Sequence, residues 1–198
     1  MTVRAQLKQA SLSRILDAAA TRLRAEGLSG AAIAPVMRDA GLTHGAFYSH
    51  FANKDDLAAA AVRHPQKDTR RRRTLARTGE QWPERLARLA ARYLTRAHRD
   101  DPANGCAFAA TAGEAARGSI AFRQVFEAEM MKSLRAICGQ DPDDDAPPNE
   151  ARFDDGAALL ALCVGGMILA RAAANPATAE RILVACRTAA ARLAAEDD

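Results

Sequence analysis

Within "AGLTHGAFYSHFANKDDL", residues 40–57, two histidines, a tyrosine, two phenylalanines and a lysine crowd into a few turns around Gly41 and Gly45. Such a set is suited to hydrogen bonding with an anion or a base edge. It holds no nucleophile–base pair and no metal spacing. Thr43 and the free N–H groups of a first helical turn suit phosphate oxygens. Tyr48 and His50 can donate to the same kind of oxygen, while Phe47 and Phe51 are apolar anchors. Gly45 removes a side chain where a backbone must come close to something else. Lys54 falls in the first turn of the following helix, where the dipole disfavours a cation unless an anion lies opposite.

The elements that must position these groups are short. Leu12, Ile15, Leu16, Ala19 and Leu23 recur at three- and four-residue spacing and predict a first helix over about 10–25, stopped by Gly27. A second helix is expected over 33–40, with Pro35 tolerated in its first turn. Gly41 closes it, and Thr43 opens a third helix as a side-chain cap. Asn53 caps a fourth. Two short helices across a tight glycine turn form a helix-turn-helix, whose second helix enters the major groove of DNA. On spacing alone, a plain three-helix bundle with a polar surface fits equally well.

Bulk properties agree with an anionic partner. The chain has 198 residues and a net charge of +4, but residues 1–80 carry +7 and the remaining 118 carry −3. Alanine makes up about a quarter of the chain and aromatic residues 5%, so the fold class expected is all-α, with about nine helices. Later helices are predicted from Pro83 to about 98, then over 106–117, 119–138, 151–174 and 176–195. The segment "GQDPDDDAPPNE" (139–150) is a linker. Its acids resemble a calcium loop, but Ala146 replaces the needed glycine and Arg152 the final glutamate. Cys106, Cys138, Cys163 and Cys186 lie far apart, as reduced thiols do. No apolar run reads as a signal peptide or reaches 18 uninterrupted residues, so a cytoplasmic protein without a membrane partner is expected. No cofactor or metal is implied, and no catalytic motif appears.

The string from Ala40 to Leu57 resembles the DNA-binding segment of the tetracycline-repressor (TetR) family of transcriptional regulators. The match runs through Gly41, Gly45, Tyr48, His50, Phe51 and Lys54, and "RILDAAATRLRAEG" resembles the family's first helix. The likeness is specific over about residues 10–60. It implies a homodimeric DNA-binding protein, usually a repressor, that a small ligand releases from its operator. Thr43, His44, Gly45 and Ala46 then face bases and nearby phosphates, and Tyr48, His50 and Lys54 face phosphates. Ala46 offers only methyl contact, which leaves His44 as the base reader. One departure concerns "AAIAPV", where Ala31 and Ala32 offer no hydroxyl at the start of the second helix, so contacts there must use backbone N–H groups.

The division expected is a helix-turn-helix domain over 1–55 and an effector-binding and dimerisation domain over 56–198. Trp82, Tyr93, Cys106, Phe108, Phe122, Phe126, Met130 and Met131 are candidates to line a ligand pocket, with plain core packing as their alternative. Cys106 follows Asn104-Gly105 at a helix start and is a candidate electrophile or oxidant sensor. Leu159, Leu162, Cys163, Gly166, Met167 and Ala170 form one stripe. Ile182, Cys186, Ala189 and Leu193 form another, and the two suit a two-fold four-helix dimer interface. Arg70–Arg73 reads as a solvated face or a DNA contact, and Arg4 with Lys8 as a basic arm reaching the minor groove. Two other classes remain as rivals. One is a small helical enzyme, and the other is a helical binding module that no longer reads DNA.

Overall fold

The computed structural model describes residues 2–64, 70, 73–144, 147 and 149–193. Its elements are α1 (Val3–Glu26), α2 (Ile33–Asp39), α3 (Lys54–Arg63), α4 (Trp82–Tyr93), α5 (Arg96–Asp100), α6 (Ala107–Ala115), α7 (Ile120–Ile137), α8 (Glu150–Ala172) and α9 (Pro176–Ala190). Two 3-10 helices, Gly27–Ala31 and His44–Ser49, join them, and the described residues contain no strand. The all-α reading holds.

Packing divides the chain into two compact units that the boundary at residue 55 does not follow. One comprises residues 1–66 and 102–127, the other 67–101 and 128–198, with the division inside α7. In the first unit, Ile15, Ala19, Leu23, Val36, Met37, Phe47, Leu57 and Val62 form a core that also takes in Ala107, Ala115 and Phe122. The joint between α1 and α2 is built tightly. Gly27 sits at φ 68 with Glu114 against it, and the Glu114 carboxylate accepts the Leu28 N–H at 2.8 Å. A Cβ on Gly30 would stand 2.4 Å from the Arg22 carbonyl oxygen, so no larger residue fits without moving α1 backbone.

In the second unit, Leu86, Leu94, Leu159, Met167 and Leu183 are fully buried. Here α8 lies along α9, and α4 packs on both. Gly166 makes the α8–α9 approach possible, since its Cβ would meet the Cys186 sulfur at 2.7 Å. Asn175 caps α9 by accepting the Ala177 and Thr178 N–H groups, and Pro176 follows at the first helical position as expected.

Several boundaries differ from expectation. The first helix begins seven residues earlier, at Val3, with Thr2 as its cap. Arg4 and Lys8 are therefore helical rather than an extended arm. The helix expected from Pro83 to about 98 ends at Tyr93, because Thr95 accepts the His98 N–H and starts α5. Of the run Arg70–Arg73, Arg71 and Arg72 lie outside the described residues. Arg70 is buried and pairs with Glu129 at 2.7 Å, so it serves neither as a solvated face nor as a DNA contact. Ala146, Pro148 and the last five residues also lie outside the described set.

Candidate nucleic-acid interface

The helix-turn-helix is made by local hydrogen bonding. Gly41, at φ 64, follows the end of α2, and its N–H reaches the Arg38 carbonyl while the Leu42 N–H reaches that of Met37. This pair of bonds reverses the chain and requires the left-handed conformation that glycine adopts freely. The reading helix, His44–Ser49, then turns as a 3-10 helix. Thr43 occupies its cap position, but its hydroxyl makes no cap bond, contrary to expectation, and the Thr43 carbonyl accepts the Ala46 N–H instead.

One side of this helix is fixed and the other is open. Phe47 is fully buried, stacks on Phe51 with centroids 5.6 Å apart, and meets the edge of Tyr48 at 5.2 Å. Thr43, His44, Gly45 and Tyr48 are exposed, with Tyr48 at 62%. The His44 and Tyr48 rings lie edge to face at 5.8 Å. A Cβ at Gly45 would meet nothing within 4 Å. No internal crowding therefore accounts for that glycine. Ala46 is half-buried against the core and contributes less to the open side than His44.

His50 is tied down by a residue that sequence reading missed. Ser11 on α1 donates its hydroxyl to the Lys8 carbonyl at 2.8 Å, which leaves its oxygen to accept His50 Nε2–H at 2.9 Å. Burial, and secondarily the Lys8 charge, push the His50 imidazole below its usual range. With Nε2 engaged, only Nδ1 remains for another partner, and it donates only when the ring is protonated. The donors that stay free of such a tie on this side are Tyr48, Lys54 and backbone amides. Lys54 is exposed in the first turn of α3, whose cap bond runs from the Asp56 N–H to the Asn53 side chain at 2.9 Å. At α2, Ala32 holds the cap position without a side-chain bond, which leaves backbone donors there.

The aromatic pocket candidates do not form one group. Phe108 and Phe126 meet at 5.1 Å, and both Phe108 and Phe122 are buried in the first unit. Trp82 and Tyr93 stand at opposite ends of α4 in the other unit. Trp82 donates to Asp155 at 2.7 Å beneath the Arg152 guanidinium, and Tyr93 packs on His98. Met130 and Met131 are half-buried. Cys106 is the half-buried cap residue of α6. The dimer-stripe residues Leu159, Cys163, Gly166 and Met167 are buried within the chain. Leu162, Ile182, Cys186, Ala189 and Leu193 are partly covered. Of the small residues in the stripes, Gly166 faces Cys186 across the α8–α9 contact of the same chain. The large exposed apolar residues of these helices are Ile168 and Leu169 on α8 and Val184 on α9, and Ala161 is exposed on α8 as well.

The short helix is pinned to the core by Phe47 and open on the side that carries His44 and Tyr48, the arrangement of a DNA-binding helix-turn-helix. Residues 15–61 match the sequence profile described as bacterial regulatory proteins, tetR family. The fold is similar to that of a TetR-family transcriptional regulator from Cytophaga hutchinsonii, with a TM-score of 0.68 and 21% identity over 98% of this chain and 97% of that one. A TetR-family transcriptional regulator from Streptomyces coelicolor is similar at a TM-score of 0.51 and 21% identity, over 92% and 89% of the two chains. No curated protein sequence matches the chain.

Proposed function

We propose that the protein is a homodimeric repressor that acts on the chromosome in the cytoplasm. It reads a pseudopalindromic operator through residues 43–50 and leaves it when the 56–198 region binds a small effector. The observation that carries this reading is Gly45, a glycine with no internal neighbour, on a helix whose Phe47 is locked in the core. Close approach of a duplex accounts for it. His44 is assigned to base edges, Thr43 and Tyr48 to the surrounding phosphates, and Lys54 to a phosphate opposite its helix end. His50 positions the helix end through Ser11. No step requires catalysis.

Gel-shift titration at several salt concentrations tests this. Lys54→Ala is expected to weaken binding to all duplexes alike and to reduce the salt slope by about 0.9 per protomer. His44→Ala is expected to change the preferred sequence instead, with discrimination at one base pair falling by about 1–3 kcal/mol. An unchanged preference would remove His44 as the reader. Absence of any duplex binding would favour the rival reading, a helical module that no longer reads DNA.

For the dimer, α8 supplies the support. It is the one described helix long and apolar enough to cross a membrane, yet only 33% of its most apolar window is buried. A second copy covering Ala161, Ile168, Leu169 and Val184 would complete a four-helix bundle. Leu169 is 59% exposed, so Leu169→Glu should leave the fold intact yet give a monomer by ultracentrifugation. A dimer at wild-type strength would place the interface elsewhere. The dimer would also set the half-site spacing, near a helical turn or a small multiple of it.

Effector release follows if the ligand prefers a different separation of the two heads. A second form of the reading makes Cys106 the sensor, because it caps α6 and the Glu114 carboxylate of α6 holds the α1–α2 joint. Unchanged DNA release by an alkylating agent in Cys106→Ser would exclude it.

A further inference from the structure

We propose that the first two turns of α1 are a second DNA-contacting surface, in which Arg4 and Lys8 hold the phosphate backbone that flanks each half-site. The inference rests on the DNA-binding reading above and extends it to residues outside the helix-turn-helix.

Residues 2–10 are all exposed, and α1 enters the core only further along, at Ile15. This stretch therefore contributes little to packing, although it is helical and capped by Thr2. At 3.6 residues per turn, Arg4, Lys8, Ser11 and Ile15 fall within about 60° of one another around the helix. Ile15 is buried in the core beneath the helix-turn-helix, and Ser11 touches His50. The basic pair thus projects on the side of α1 that faces the reading head, beyond the last packed turn. Lys8 lies near enough for its charge to act on the His50 ring.

Charge selects the partner. Residues 3–16 contain Arg4, Lys8 and Arg14 and no acid, and the first turn of α1 has none to balance its dipole. Arg14 stands beside Gly41 at the turn into the reading helix. Ser11 against His50 and Arg14 beside Gly41 bring this end of α1 next to the helix-turn-helix. One helical turn, about 6 Å of rise, separates Arg4 from Lys8. Two cations so placed can follow a single backbone strand, whose charges repeat about every 3.4 Å. Val3 and Leu7 are exposed alongside, at 72% and 67%, which makes an anionic bilayer the competing partner for the test.

The test compares the full chain with Arg4→Ala/Lys8→Ala and Arg4→Lys/Lys8→Arg on a 30-base-pair duplex of arbitrary sequence, between 50 and 200 mM salt. Alanine preserves α1, being a strong helix former at exposed positions. Losing two phosphate contacts lowers the salt slope by about 1.8 per protomer, so the wild-type advantage shrinks about twelvefold across that range. The charge-keeping variant should match wild type. Equal slopes for wild type and the alanine variant, with Lys54→Ala still reducing the slope, would overturn this proposal alone. A wild-type chain that binds no duplex would overturn both readings. Binding to anionic vesicles that is lost in the alanine variant, with duplex slopes unchanged, would reassign the strip to lipid.

Discussion

Phe47→Ala is expected to cost about 3–5 kcal/mol of stability and to abolish DNA binding. Phe47 has no exposed surface, and its ring is the platform on which Tyr48 and Phe51 rest. Truncation leaves a cavity under a six-residue 3-10 helix. Such a helix is too short to persist without tertiary support. The exposed groups would survive chemically, but their arrangement would not. Denaturation followed by circular dichroism gives the stability change. Titration of duplex at a temperature where the variant keeps its helicity gives the binding loss. Phe47→Leu should recover most of both, because volume and apolarity are largely kept. Wild-type affinity in a folded Phe47→Ala chain would mean that the helix holds its place by other contacts.

The second large effect belongs to Arg85, which is 4% exposed. Its Nε donates to the Ile137 carbonyl at 2.8 Å, and Nη2 donates to those of Ala136 and Thr74. The guanidinium thereby closes the C-terminal end of α7, where orphan carbonyls and the negative end of the dipole favour a cation. Glu80 lies nearby, and its carboxyl is held down to about 2, first by the hydrogen bond from Arg88. Burial pulls against the Arg85 charge, and Glu80 opposes that pull. Arg85→Ala removes the guanidinium from three carbonyls, of which Ala136 keeps the Gly139 N–H at 3.3 Å, and a loss of about 3–5 kcal/mol is expected. Trp82, the only tryptophan and the first residue of the same helix, reports the unfolding by fluorescence. Arg85→Lys should regain only part, because an ammonium cannot fork to three acceptors fixed for a planar group. A loss below about 1 kcal/mol in Arg85→Ala would show that water takes over the three acceptors.

What the sequence disclosed and what it hid follow one physical division. Local signals were legible. Gly41 at a helix end, Asn53 and Asn175 as caps, and Phe47 as an inward anchor each depend on neighbours a few residues away. Signals that depend on distant partners were not. Ser11 and His50 are 39 positions apart, and Arg70 and Glu129 are 59 apart. Nothing in a basic run marks one arginine for burial. The start of α1 was misplaced because apolar periodicity reports which face is buried, and Val3–Ala10 bury none. The dimer stripe was ambiguous for a related reason. Small residues at helical spacing signal close approach without saying whether the neighbour is α9 or a second copy, and Gly166 is taken by Cys186 of the same chain.

The Glu114 carboxylate on the Leu28 amide, together with Arg24 reaching the Ala103 carbonyl at 2.6 Å, means that the head is not portable as an N-terminal piece. A fragment cut after Arg63 would forfeit Ala107, Ala115 and Phe122 from its interior. Grafting this specificity onto another scaffold would require carrying residues 102–127 along as an insert.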